Sequence, residues 1–197
     1  MVQVLDHFNQ NLGRARALCA IAKRLETVVT GVVDLTDIYR ASLVLGVSAL
    51  DYFVHEFVRT GMLEAHHGKR QITNSHKNFK VTLETARLAI SEQPDAWLDD
   101  AVREAHSWQS FQRPDKIAEA IRLVSAKDLW KEVAIDLGKS SDQIKREIKL
   151  IADRRDKIAH EADLDPDGFP WPISDQLVSN ALNTLESVVR SIAKVAT

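Results

Sequence analysis

The sequence predicts an all-α protein, and three observations support this fold class. Apolar residues recur at spacings of three and four along most of the chain, which is the period of one helix face. Helix-capping and helix-ending residues stand at the ends of these stretches, and no useful alternating strand pattern occurs. We therefore expect an up-and-down helical bundle of four long helices, with a smaller helical insertion at 61–137, as a single domain over 1–197.

Composition narrows the class of protein further. The formal net charge is −2, so there is no overall basic field of the kind that marks nucleic-acid binding, although a local basic patch is allowed. Cys19 is the one cysteine and is expected to be a buried small apolar residue. The N-terminal residues lack an apolar secretion signal, and the longest uncharged apolar run, 41–50, is about half a membrane span. We expect a cytoplasmic protein without membrane association.

Two long helices account for the first third of the chain. An apolar stripe over 3–30 predicts an amphipathic helix that stops at Gly31. Capping oxygens at 34–37 precede a second helix over about 37–60, which is apolar on nearly all sides and is expected to be buried. Asp51 and His55 interrupt this helix one turn apart. They are either a hydrogen-bonded pair at a helix interface or a pair that supports the functional site from behind.

The middle of the chain shows weaker patterns. Residues 61–80 lack a sustained period and are expected to form a loop, which is the most basic segment. Its paired histidines have no cysteine or carboxylate at ligand spacing, so we expect a solvated loop, or a phosphate-contacting one, and no metal site. Three or four short helices should follow over 79–137. Their tryptophans, at helical spacing, are expected to pack in the core: Trp97, Trp108 and Trp130.

Two further long helices complete the predicted bundle. Ser140 and Gln143 form a capping box that opens a helix over about 141–163. Three prolines at 166, 170 and 172 then enforce a rigid turn. Ser174 caps a last helix, which is clearly amphipathic over 178–196.

The helix opened by Ser140 carries an arginine where its apolar stripe requires an apolar residue. The stripe has the members Ile144, Ile148, Ile151, Ile158 and Ala162. The position missing between 151 and 158 is Arg155. An unpaired charge costs several kcal/mol when it is buried. We therefore expect Arg155 either in a buried ion pair, with Asp51 as a candidate partner, or at the edge of a polar cleft.

His160 follows five residues later and lies about 140° around the helix from Arg155. Asp156 is one turn before His160, on the same face, where it can orient the imidazole. Arg154 and Lys157 add positive charge nearby. An imidazole moves protons near neutral pH and a guanidinium binds phosphate oxygens, so this set suits phosphodiester chemistry. The alternative is an ordinary charged helix end, because cations are favoured at helix C-termini.

The segment from Arg155 to His160 resembles the Arg-x4–6-His signature of the HEPN superfamily. Its surroundings, 154–166, resemble the RiboL-PSP-HEPN branch, as do 35–59 and 129–138. The resemblance implies a helical bundle that dimerises, so that the arginine and histidine of both protomers meet in one cleft. It also implies a metal-independent endoribonuclease without cofactors, of the kind found in toxin–antitoxin and phage-defence systems. Some members of the superfamily are inactive scaffolds.

Both Arg154 and Arg155 fall within the spacing of the signature, and the apolar stripe favours Arg155 as the catalytic arginine beside His160. We expect Asp156 to orient His160, and Arg154 and Lys157 to bind RNA. The expected partners are an RNA substrate, a second copy of the chain and an antitoxin protein. The family usually has asparagine or another polar residue after the arginine, and Asp156 departs from this pattern. The alternative function is therefore a non-catalytic helical dimer that binds RNA, a nucleotide or a protein partner.

Overall fold

The computed structural model describes residues 1–29, 33–90 and 96–197, and its regular elements there are all helices. The prediction of an all-α protein is confirmed. In chain order the helices within these ranges are α1 (Val2–Glu26), α2 (Thr36–His66), α3 (Asn74–Lys77), α4 (Leu83–Ile90), α5 (Ala96–His106), α6 (Pro114–Ile121), α7 (Leu129–Leu137), α8 (Ser141–His160) and α9 (Asp175–Val195).

Helix α2 is the centre of the core. It packs against α1, α5, α6, α8 and α9, and its apolar side chains are buried along most of its 31 residues. Length and composition alone would let α2 cross a membrane, but 56% of its most apolar stretch is buried inside the protein, as in a central core helix. Helices α1, α8 and α9 are the other long helices of the described chain, with 25, 20 and 21 residues.

The predicted helix ends are partly confirmed. The Ser140 hydroxyl accepts a hydrogen bond from the backbone N–H of Gln143 at 3.1 Å, and Ser174 caps α9 in the same way. The predicted Gly31 stop lies outside the described residues, and α1 already ends at Glu26. Helix α8 ends at His160 and does not reach 163, because the backbone turns left-handed just beyond it, with φ of 51° at Ala162 and 56° at Asp163.

The predicted loop over 61–80 is wrong at its start, and a short helix interrupts the rest of it. Residues 61–66 are the last turns of α2, and α3 lies within the remainder. Gly61, the first residue of the predicted loop, is buried inside the helix. A Cβ atom at this position would lie 2.7 Å from Cγ1 of Val124. Gly61 therefore permits a close approach of the following chain to α2 and does not end the helix.

The tryptophans differ in their packing. Trp130 is buried, as predicted, and its indole N–H donates to the carbonyl of Pro114 at 2.9 Å. Trp97 is partly buried against the core. Trp108 is 80% exposed, so its predicted core position is wrong. It lies just beyond the end of α5, where the helical stripe no longer governs the direction of the side chain.

Candidate functional site

The end of α8 brings the two predicted catalytic residues to the surface. His160 is the last residue of the helix and is exposed, and its imidazole makes no hydrogen bond to any residue that the structure describes. The Arg155 side chain is 25% exposed. One of its terminal nitrogens donates to Asp156 Oδ1 at 3.2 Å. Its Nε is buried and finds no acceptor among the described residues. Its second terminal nitrogen makes no hydrogen bond to a described residue, so Arg155 retains a donor for a ligand.

The environment of Arg155 is a polar edge of the core. The buried stripe of α8 consists of Ile144, Ile148 and Ala152, and it ends one turn before the arginine. The Asp51 carboxylate, the candidate ion-pair partner, instead accepts a hydrogen bond from the backbone N–H of Phe111 at 2.5 Å. The proposed pairing with Asp51 is therefore not formed. Arg155 is instead paired with Asp156, and both side chains are partly exposed.

Asp156 is held by a different partner from the predicted one. Its carboxylate accepts from Arg113 at 3.0 Å and contacts Arg155, and it makes no bond to His160. Arg113 also pairs with Asp153 at 2.8 Å. Hydrogen bonds from Lys149 and Arg113 hold the pKa of the Asp153 carboxyl below its ordinary value. Arg113 thus ties the segment before α6 to the outer face of α8, and the expected orientation of His160 by Asp156 is absent.

Asp51 and His55 support this bridge from the α2 side. Their side chains lie 3.9 Å apart, too far for a good hydrogen bond. The His55 ring packs on Phe111, with ring centroids 4.6 Å apart, and Asp51 binds the Phe111 backbone. Since Phe111 is two residues before Arg113, both side chains help to place the segment that carries Arg113. Asp51 and His55 therefore do not form a hydrogen-bonded pair with each other. Both contact Phe111, and through it they support the segment that carries Arg113.

Arg154, the neighbour of Arg155, is engaged in a buried ionic cluster. Its guanidinium donates to Asp163 Oδ2 at 2.8 Å and to the carbonyl of Trp171 at 3.0 Å. Arg40 of α2 donates to the same two groups, each at 2.8 Å. The Asp163 side chain is fully buried. With its acceptors inside the protein, Arg154 is placed to hold the chain after α8, and its predicted contact with RNA would compete with these bonds.

The cluster fixes the loop that follows His160. The Asp163 backbone N–H donates to the Lys157 carbonyl at 3.0 Å, and Trp171 N–H donates to the Asp163 carbonyl at 2.8 Å. The Lys157 ammonium lies 5.3 Å from the centre of the Trp171 ring, a cation–π distance. Beside this pair, the Phe169 ring is largely exposed. His160 is therefore followed by an ordered loop with aromatic and cationic side chains on its surface.

Three residues of the site were missed from the sequence: Arg40, Arg113 and Asp163. Arg40 had a detectable signal, since it precedes Leu43 and Val47 on the buried face of α2 and interrupts that stripe as Arg155 interrupts the stripe of α8. Asp163 lies at a left-handed position that aspartate tolerates better than most residues. Arg113 had no such signal, because its partners are about 40 residues away in the chain.

In chemical terms, the end of α8 offers a solvent-accessible imidazole for proton transfer and a guanidinium for an anion. Within the described ranges, no group of three or more His, Cys, Asp or Glu side chains is placed to hold a metal ion. The two functional side chains diverge around the helix, so one copy of α8 does not direct both at one atom.

Comparison with known proteins was informative at the level of the family. No curated protein and no solved structure was found to match the chain. The model of the RiboL-PSP-HEPN family matches residues 11–197, a range that includes α2, the whole of α8 and the loop after it. The chain therefore belongs to the RiboL-PSP-HEPN family.

Proposed function

We propose that this protein is a metal-independent endoribonuclease, possessing an Arg155–His160 site that is completed by a second copy of the chain. Family membership supports the reaction class. The observation that carries the proposal is the difference between the two neighbouring arginines. Arg154 donates to Asp163 and to the carbonyls of the chain after α8, whereas Arg155 donates only to its neighbour Asp156 beside an exposed helix end.

In the proposed reaction, the imidazole of His160 removes the proton from a ribose 2′-hydroxyl. The 2′-oxygen attacks the adjacent phosphorus, the bond from phosphorus to the 5′-oxygen breaks, and that oxygen takes up a proton. The products are a 2′,3′-cyclic phosphate and a 5′-hydroxyl. Arg155 would bind the non-bridging oxygens, on which negative charge grows in the transition state. Lys157 would bind an adjacent phosphate.

A second copy of the chain is needed to bring an arginine and a histidine to the same phosphate. Arg155 and His160 are about 140° apart around α8, so the residues of one chain do not converge on one phosphate. We propose that an up-and-down bundle formed by the four long helices pairs symmetrically through the C-terminal end of α8. The arginine of one chain would then approach the histidine of the other. An isologous interface of this kind places two such pairs near one two-fold axis.

A non-catalytic role is the second candidate, and Asp156 favours it. Its carboxylate contacts the Arg155 guanidinium at 3.2 Å and so offsets the charge that would attract a phosphate. In this case the dimer would bind RNA, a nucleotide or a protein partner without cleaving RNA.

Substituting Asp156 by asparagine keeps the shape of the side chain and removes its charge. The rate of RNA cleavage should rise in this variant if the first proposal holds.

The decisive experiment is incubation with total RNA and with tRNA in EDTA. Wild-type protein is compared with His160→Ala and with His67→Ala, a control at an exposed histidine just beyond α2. We expect cleavage by wild type and by the control, with cyclic phosphate at the new 3′ ends, and a loss of about 10²–10⁴-fold in His160→Ala. No cleavage by wild type, together with equal toxicity of wild type and His160→Ala in cells, would rule out the proposal.

The cellular role that we propose is that of a cytoplasmic toxin or defence effector whose activity an antitoxin protein restrains. Expression of the chain alone should then slow growth in a His160-dependent manner. Growth that is unaffected by the wild-type chain, while the purified protein cleaves RNA, would separate this role from the reaction.

A further inference from the structure

A groove of about 650 Å³ lies between α6 and α8. Its walls include the apolar surfaces of Pro114, Ala118 and Trp130. The charged side chains that line it are four basic and two acidic ones: Arg122, Lys145, Arg146, Lys149, Asp115 and Glu119. The excess of positive charge is local, since the chain as a whole has a formal net charge of −2.

Most of this positive charge is not neutralised by the protein. Arg122, Lys145 and Arg146 make no ion pair with any residue in the described ranges, whereas Lys149 pairs with Asp153 at 2.6 Å. On the acidic side, Glu119 is paired with Lys116 at 2.9 Å. Three cations and one carboxylate, Asp115, are thus left without an ion-pair partner among the described residues, which gives the groove a net excess of positive charge. A polyanion is the ligand class that such a surface attracts.

The lysines of the groove lie on the same face of α8 as His160. Lys145, Lys149, Asp153, Asp156 and His160 follow one another at spacings of four, four, three and four, so they share one face of α8. The rise of a helix places Lys149 about 16 Å from His160 along the axis. The two carboxylates between them are both paired, with Arg113 or Lys149, so no uncompensated negative charge interrupts this face.

We propose that the α6–α8 groove binds the sugar–phosphate backbone of a single-stranded RNA whose scissile phosphate lies at His160. This inference rests on the proposed function, because it assigns the path of the same substrate beyond the cleavage site. A single strand fits because attack by the 2′-oxygen requires a backbone that can bring this oxygen in line with the leaving oxygen. Charge, and not base identity, would hold the strand in the groove.

The first test measures binding apart from cleavage. Full-length His160→Ala protein is titrated into a fluorescein-labelled 20-nucleotide single-stranded RNA and anisotropy is recorded between 50 and 300 mM salt. Adding Arg122→Gln and Lys145→Gln should weaken binding roughly tenfold and reduce the salt slope by about 1.4, since each phosphate contact with a single strand contributes about 0.7. The matched control is Arg14→Gln with Arg24→Gln on α1, which packs on α2 and α9 and not on α6 or α8.

Unchanged affinity and salt slope in the groove variant, or no RNA binding by the His160→Ala parent, would overturn the inference. So would an equal loss in the α1 control, because the effect would then be one of overall charge. If the groove variant binds less tightly but wild type cleaves no RNA, the groove stands and the proposed reaction fails.

The second test uses substrate length. A dinucleotide spans the scissile bond but cannot reach a groove about 16 Å away. In an otherwise wild-type chain, Arg122→Gln with Lys145→Gln should raise KM for the 20-nucleotide RNA roughly tenfold and leave dinucleotide cleavage unchanged. An equal loss on both substrates would show that the substitutions disturb the cleavage site, and would contradict the inference.

Discussion

At the scale of single residues, position on α8 separates Arg154 from Arg155. Arg154 points toward the chain that returns after the helix and meets Asp163, a carboxylate that Arg40 also binds. Arg155 hydrogen-bonds only to Asp156 among the described residues. Adjacent residues on a helix are about 100° apart, so one can serve the fold while the next remains available to a ligand.

The ionic cluster predicts a large effect of Asp163→Asn on stability. The substitution leaves Arg40 and Arg154 without their shared carboxylate, and breaking a buried pair in this way costs about 3–5 kcal/mol. Asparagine tolerates the left-handed backbone at this position, so strain does not confuse the result. Urea unfolding followed by circular dichroism measures the change in the free energy of unfolding.

The matched control for Asp163→Asn is Asp167→Asn, an exposed carboxylate in the same loop. Its effect should stay within about 0.5 kcal/mol. Equal unfolding midpoints for both variants and wild type would mean that the cluster contributes nothing to the fold.

At the scale of helices, the contact between α5 and α2 encloses a histidine that the proposed reaction does not use. His106 is buried at the end of α5, and its ring meets Phe111 edge-on with centroids 5.2 Å apart. His55 of α2 lies 6.2 Å away. Burial, and to a smaller extent the charge of His55, lower the pKa of His106 from 6.5 to about 4.

This shift predicts that acid weakens the α5–α2 contact. Between pH 6.5 and about 4 the unfolded chain binds a proton at His106 that the folded chain does not, so stability falls as pH falls through this window. Because carboxylates also titrate there, the measurement is a difference. Unfolding free energies of wild type and His106→Phe are compared at pH 7, 5.5 and 4.5.

The loss of stability from pH 7 to 4.5 should be smaller in His106→Phe than in wild type. His160→Ala, at an exposed histidine that makes no hydrogen bond to a described residue, should keep the wild-type slope. Parallel curves for all three proteins would contradict the buried neutral state of His106.

At the scale of the whole molecule, the divergence of Arg155 and His160 ties the proposed activity to association. Each of these side chains lies at the end of a helix whose other end is packed on the core. On an ideal helix the two side chains leave the axis about 140° apart, so they lie on different sides of α8. The proposed site is therefore a property of two chains, and its assembly depends on protein concentration.

This dependence is measurable. Below the dissociation constant of the dimer, the initial rate of RNA cleavage should rise with the square of the protein concentration, and above it in direct proportion. Sedimentation velocity over the same range gives the dimer fraction. A rate that remains proportional to concentration while the protein sediments as a monomer would show that one chain suffices.

Much of the fold followed from local patterns. The caps at Ser140 and Ser174 were visible because they act through hydrogen bonds to residues three positions away. The loop predicted over 61–80 was wrong at its start, where α2 continues. Gly61 is needed there because Val124, far along the chain, packs closely against the helix backbone. The core position predicted for Trp108 was wrong because helical periodicity does not show where a helix ends, and α5 ends before Trp108.

The sequence by itself determined the all-α class, the family and the stretch that carries Arg155 and His160, because each is written in residues close together in the chain. Only the tertiary structure decided which arginine is bound to the fold, that Arg113 and not His160 pairs with Asp156, and that free cations gather between α6 and α8. The physical reason is that side-chain partners are chosen by distance in space. Packing brings Arg40 to Asp163 and Arg113 to Asp156 across segments that no periodic pattern connects.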